Sequence, residues 1–199
     1  MLDKFDEVIE QRRGIVWARA GFRVALEAER WLIGAMNPCP CGYFGHPRRK
    51  CICSPVKSSA YLSKISGPLL DRFDMHIEVA PVEYEDLTSK QKTESSSEIR
   101  KRVIAAREIQ NQRFKGTAIT CNALITADKL QEFCPLDEGA ETMLKAVFDK
   151  LDLSGRAYDR ILKVARTMAD MDGSEVLKRQ HIAAAAQYRS LDRKYWSQP

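Results

Sequence analysis

The chain has 199 residues, of which 44% are hydrophobic and 30% charged, the balance of a globular protein with its own core, which excludes a wholly disordered or collagen-like chain. The longest apolar run, Trp31-Leu32-Ile33-Gly34-Ala35-Met36, is far short of the ~20 residues that span a bilayer, and Met1-Leu2-Asp3-Lys4 opens no signal peptide, so a cytoplasmic location with no membrane partner is expected. Lys and Arg number 32 against 27 Asp and Glu, a net charge of +5 that permits contact with polyphosphate or nucleic acid without demanding it.

In chain order, Leu2 to Gln11 places Leu2, Phe5 and Ile9 among charges and predicts a short amphipathic helix stopped by Gly14. Ile15–Arg19 and Phe22–Leu26 are β-prone runs separated by Ala20-Gly21, compatible with a hairpin, although Ala25 to Arg30 also suits a helix. Trp31 to Met36 reads as a buried parallel strand that delivers Asn37 at its end. From Pro38 to Pro55 the composition turns to Pro, Gly, Cys and basic residues, with too few apolar side chains to order the segment by packing. Val56 to Ile65 has a helical pattern, and Ser66-Gly67-Pro68 restarts the chain into Leu69-Leu70-Asp71-Arg72-Phe73. Met75-His76-Ile77-Glu78-Val79 alternates as a strand does and ends at Pro81. Ser89 to Ser97, rich in Ser, Lys and Thr, is the expected linker.

Beyond the linker the pattern is helical throughout. Glu98 to Phe114 carries Ile99, Val103, Ala106 and Ile109 on one face and Arg100, Lys101, Arg107 and Arg113 opposite. Ala127 to Phe133, Asp137 to Leu151, Gly155 to Asp172 and Arg179 to Tyr188 follow, with Ser154 as a helix N-cap. The expected architecture is a small α/β piece, residues 1–88, a linker at 89–97 and an all-α region, 98–199, mainly helical overall and without an internal repeat.

Four of the six cysteines fall within fifteen positions: Cys39, Cys41, Cys51 and Cys53. Two C-x-C pairs joined by a Gly/Pro-rich loop offer four soft thiolates, a set that suits tetrahedral zinc, and a loop without a core would take its order from the metal. Four protein ligands leave no open position, so the site would be structural. C-x-C is tighter than the C-x-x-C of zinc ribbons, which leaves His46 as a possible replacement for one thiolate and a metal-free loop of reduced cysteines as the other reading. Cys121 and Cys134 stand alone and suit small buried positions. The three histidines, His46, His76 and His181, have no Ser or Cys partner arrangement, and His76 and His181 suit structural roles.

Three strings carry a resemblance: Gly34 to Tyr43 (GAMNPCPCGY), Ile65 to Asp74 (ISGPLLDRFD) and Ser154 to Thr167 (SGRAYDRILKVART). Together they resemble the magnesium-chelatase-like AAA+ ATPases of bacteria, a group that includes the competence-associated branch-migration helicase. The resemblance covers about residues 31 to 189 well and 5 to 30 weakly. No Gly-x-x-x-x-Gly-Lys-Ser/Thr phosphate loop occurs in the chain, so the expected match is to the C-terminal portion of the family's proteins: the distal part of an AAA+ core followed by its helical lid.

The resemblance implies roles by position. Asn37 would orient the water that attacks the γ-phosphate, Arg72 would be the finger inserted into a neighbouring subunit's nucleotide, and Arg156 would contact γ-phosphate from its own subunit, with Arg160 on the same helix face. It further implies ATP and Mg²⁺ in the complete protein, a homo-hexamer, the remaining AAA+ core and N-terminal domain as partners, DNA as a substrate, and no ATP hydrolysis by this chain alone. Read without the resemblance, Asn37 caps a strand, Arg72 pairs locally with Asp71 and Asp74, and the stripe of Arg156, Arg160 and Lys163 is a solvated face. The rival from another class is a zinc-containing module in which Arg48, Arg49, Lys50 and Lys57 grip nucleic-acid phosphates without ATPase activity.

Overall fold

The computed structural model describes residues 15–19, 22–26, 33–82, 84, 88 and 93–189. The chain forms two compact units, residues 1–72 and 73–199. Among the described residues it is mainly helical.

In the first unit, β1 (Ile15–Arg19) and β2 (Phe22–Leu26) pair antiparallel, from Ile15 opposite Leu26 to Arg19 opposite Phe22. That is the hairpin the β-branched and aromatic runs predict, joined by two residues. The expected helix over Leu2 to Gln11 and residues 31 and 32 lie outside the described residues. Residues 33–36, expected within a buried strand, instead run without strand structure, and Ile33 is 87% exposed. A parallel strand holds its shape through ladder partners on both edges, and no strand pairs with this segment among the described residues. After the cysteine loop come α1 (Pro55–Leu62) and the single turn α2 (Gly67–Leu70). Each opens on a serine cap, Ser54 accepting from the Lys57 N–H and Ser66 from the Leu69 N–H. Leu62, Leu69 and Leu70 are the buried aliphatic side chains of this region.

In the second unit, Met75 to Val79 has no regular secondary structure. The expected alternation is present in the sequence, yet the backbone is tied through the His76 N–H to the Tyr188 carbonyl (2.8 Å) rather than into a ladder, and Ile77 and Val79 are exposed. The long helix α3 (Ser96–Arg113) starts inside the expected linker: Ser95 and Glu98 form a reciprocal capping box, so residues 95–97 belong to the helix start. Two 3₁₀ turns, Asn122–Leu124 and Ala127–Lys129, lead into α4 (Leu130–Phe133). Then follow α5 (Glu138–Leu151), α6 (Gly155–Met171) and α7 (Arg179–Gln187).

The core of this unit gathers Phe114, Ile125, Leu130, Leu144, Val147, Ile161, Leu162, Ala165, Leu177 and Ile182 from all of these pieces. Helix α7 packs on both α5 and α6, and α3 packs on α6. Small residues let the helices approach closely: Ala140, Ala165 and Ala169 are fully buried. The short α5–α6 connection turns at Asp152 in the left-handed conformation (φ 46°), whose N–H reaches back to the Phe148 carbonyl, before Ser154 caps α6 through the Ala157 N–H at 3.1 Å. No helix among the described residues is long and apolar enough to cross a membrane.

Candidate metal centre and nucleotide-site residues

The sulfurs of Cys39, Cys41, Cys51 and Cys53 lie within 4.8 Å of one another. Cys39 and Cys41 are 3.4 Å apart, Cys41 and Cys51 3.5 Å, and Cys39 and Cys51 3.7 Å. These separations exceed the S–S bond of a disulfide, ~2.05 Å, and all four thiols are free. They approach the ~3.8 Å edge of a tetrahedron built on metal–sulfur bonds of about 2.3 Å. Local turns make the set: the Gly42 N–H donates to the Cys39 carbonyl (3.1 Å), and Gly42 takes φ +80°, a conformation that admits glycine readily.

The acidities of these thiols show why the set fits a cation. Cys41 is drawn down to about 6, first by the Tyr43 backbone N–H and then by that of Ile52, both of which favour its thiolate. Cys51 moves the other way, to about 12: the Cys53 backbone N–H favours ionisation, but burial and the neighbouring sulfurs of Cys41, Cys39 and Cys53 outweigh it. Cys53 is raised chiefly by burial. Crowded sulfurs cannot ionise together without a positive charge among them, and a divalent ion supplies it. The donor set is thus one that can hold a metal.

His46 does not join it. Its Nδ1 accepts from the backbone N–H groups of Arg48 and Arg49, both at 3.1 Å, so the ring closes the turn between the two cysteine pairs. Tyr43 meets His46 edge-on (5.7 Å) and holds Arg49, whose Nη1 donates to the Tyr43 hydroxyl at 2.6 Å while the guanidinium lies 5.1 Å from the ring centre.

Asn37, expected at a strand end, is exposed, and its side-chain amide lies beside Gly42, 3.6 Å from where a Cβ there would sit. Arg72 follows α2, half-buried, with its N–H on the Leu69 carbonyl (3.0 Å). Within the second unit, Arg156 is exposed at the start of α6, and its side chain makes no hydrogen bond or ion pair among the described residues. One turn on, Arg160 pairs with Asp74, and Lys163 donates to the Ala123 carbonyl at 3.4 Å. The opposite face of α6 carries Ile161 and Ala165 into the core.

Sequence reasoning missed a buried polar network. Asp170, 2% exposed, accepts from Arg113, from Asn122 Nδ2 (2.8 Å) and from Arg166 Nε (3.1 Å). Arg166, 1% exposed, also donates to the carbonyls of Glu175 (2.7 Å) and Ser174. Arg113 is therefore part of the interior, not of the basic outer face of α3. His181 is buried too: its Nδ1 accepts from the Lys178 N–H (2.9 Å) and its Nε2 faces Asp172 at 3.1 Å. That is the structural role expected of it.

Comparison with known proteins places these features in a family. Residues 1–87 match the model of magnesium chelatase, subunit ChlI, and residues 93–189 that of the ChlI C-terminal domain. YifB of Escherichia coli K12, an uncharacterized protein, is 38% identical over 195 residues, which is 96% of this chain and 37% of YifB. Competence protein ComM of Haemophilus influenzae is 35% identical over 194 residues, 97% of this chain and 37% of ComM. The chain thus spans little more than a third of the length of these relatives, and it belongs to the magnesium-chelatase subunit ChlI family.

Proposed function

We propose that this chain provides the distal part of an ATPase site in a ring assembly, with Arg156 reaching the γ-phosphate within its own subunit, Arg72 donated to a neighbour's nucleotide and Asn37 orienting the attacking water. The observation that carries the reading is Arg156 itself. It stands exposed one residue after Gly155, on a helix start fixed by Ser154, while the residues behind it are locked into the core. A cation presented on a rigid, capped helix suits a fixed anionic group. Arg160, one turn behind and steadied by Asp74, adds positive potential to the same stripe.

The sequence contains no Gly-x-x-x-x-Gly-Lys-Ser/Thr loop, and the backbone amides and lysine of such a loop cradle the β- and γ-phosphates. This chain alone is accordingly expected to bind ATP·Mg²⁺ weakly and not to hydrolyse it; micromolar binding in titration calorimetry contradicts that. The resemblance to a competence protein supports coupling of the hydrolysis to DNA remodelling in a homo-hexamer. The four cysteines hold a structural zinc: four protein sulfurs close the coordination shell, so the ion orders the loop and leaves no position for a reactive water. The division near the family-model boundary, with an ATPase-core part through residue 88, a linker shortened to 89–94 by the capped start of α3 at Ser95, and a lid after it, belongs to the same reading.

The test uses the complete protein. Arg72→Ala and Arg156→Ala should each lower turnover ~10³–10⁵-fold, the range for a guanidinium at phosphoryl transfer. Mixing with a subunit that lacks the nucleotide loop but retains Arg72 should restore hydrolysis to Arg72→Ala subunits and not to Arg156→Ala subunits. Rescue of both, or normal activity in either single variant, contradicts the assignment.

A further inference from the structure

The cysteine loop carries a charge imbalance that a structural metal does not explain. From Ile33 to Leu70 the sequence contains Arg48, Arg49, Lys50, Lys57 and Lys64 and not one Asp or Glu. A filled site of four thiolates and one dication is itself a dianion, which leaves an excess of positive charge after full compensation. Three of the cations, Arg48, Arg49 and Lys50, are consecutive and exposed on the loop between the two cysteine pairs.

Their presentation is built rather than incidental. The backbone N–H groups of Arg48 and Arg49 both close on His46 Nδ1, which fixes the turn that carries the run. Arg49 is held over the Tyr43 ring with one N–H on the hydroxyl, so part of its rotamer entropy is already lost. Guanidinium has five donors, and the Tyr43 bond takes one of them. Phe44 and Ile52 on the same loop are 40% and 88% exposed. Cations interleaved with exposed aromatic and aliphatic side chains suit a partner that offers both phosphates and uncovered bases, whereas a duplex hides its bases in the stack.

We propose that the outer rim of the metal loop is a contact surface for single-stranded nucleic acid, with Arg48, Arg49 and Lys50 on the phosphates and Tyr43 as a positioning residue for Arg49. The proposal rests on the reading that the four sulfurs hold a metal, because the metal is what keeps the rim in shape.

The probe is a fluorescently labelled 20-nucleotide oligothymidylate, titrated with the full 199-residue chain by anisotropy over a series of salt concentrations, with zinc measured on every sample. The joint variant Arg48→Ala, Arg49→Ala, Lys50→Ala should weaken binding at least ten-fold and flatten the plot of log affinity against log salt by about 2, since each single-strand phosphate contact contributes about 0.7. Arg100→Ala, Lys101→Ala, Arg107→Ala removes the same charge from exposed positions of α3 and should cost less than two-fold. Tyr43→Phe keeps the ring, loses the hydroxyl and should cost about three-fold. A zinc-loaded chain that does not bind, equal losses in the two triple variants, or equal affinity for a duplex of the same length overturns the proposal. A wild-type chain without zinc refutes the metal reading, and the two triple variants still judge the rim.

Discussion

Between Cys39 and Cys53 the one fully buried side chain is Cys39, and the apolar Phe44 and Ile52 face water. In the helical unit, by contrast, fifteen buried apolar residues among those described, from the end of α3 to α7, form a continuous core. The same chain therefore uses two sources of order. At roughly 25 cal/mol per Å² of apolar surface, the loop buries too little to offset the ordering of its backbone, and four convergent sulfurs offer a metal the place of the missing core. The helical unit takes its order from packing and adds to its core a buried ionic cluster whose members come from α3, the first 3₁₀ turn and α6. The two regions should thus fail under different insults.

The largest effect is expected at Asp170. Its carboxylate faces Arg166 at 3.0 Å and also pairs with Arg113, with the Asp170 and Arg166 side chains almost wholly buried. Asp170→Ala leaves two cations facing each other without a counter-charge and should destabilise the helical unit by about 3–5 kcal/mol in urea unfolding. Zinc bound per chain should stay the same. A loss below about 1 kcal/mol, or a parallel loss of metal, contradicts an independent ionic cluster in the helical unit.

The contrast between these two regions also explains what could be read in the sequence. The cysteine set was legible because its members are close in sequence and rich in one chemistry. Ser154 was legible because an N-cap acts over three residues. The Ser95 and Glu98 box carries an equally local pattern, but the polar composition of residues 89–97 pointed to a linker and hid it. The ionic cluster left no local trace: Arg113 sits among exposed basic residues of α3, and its partner Asp170 lies 57 positions away. Tyr43 and His46 gave no warning that they would hold Arg49 and close the basic turn, since that depends on how the loop folds back on itself. The two strand expectations, at 31–36 and 75–79, rested on alternation and apolarity alone, and neither pattern supplies the ladder partner a strand requires.

A second, smaller effect separates the cysteines. Burial pushes the Cys134 thiol up to about 11, against the pull of Arg166 and Arg113. A thiol held neutral by the fold contributes stability that is complete below its ordinary pKa and is lost as pH rises from about 9 towards about 11. The helical unit should lose about 2–3 kcal/mol over that window by denaturant titration. At pH 8 iodoacetamide should modify Cys134 far more slowly than the half-buried Cys121, read by peptide mass. Flat stability across the window contradicts the assigned burial.

Helix ends give the smallest effects. Ser154→Ala removes the acceptor of the Ala157 N–H and should cost about 1 kcal/mol, a drop of several degrees in melting temperature. Asp152→Gly relieves the left-handed backbone and should gain about 0.5 kcal/mol, less than the full left-handed penalty because glycine adds entropy to the unfolded chain. Neither change should alter zinc content, which keeps the cysteine loop and the packed bundle separate.

The most direct test of that division is peptide-resolved hydrogen exchange on the full chain, purified without chelator and then stripped with one, alongside metal analysis. Close to one zinc per chain is expected and, on stripping, loss of protection across residues 39–53 with residues 130–189 unchanged. Cys39→Ser and Cys51→Ser should reproduce the stripped pattern. A purified chain without zinc, or a loop whose protection survives metal removal, would contradict it.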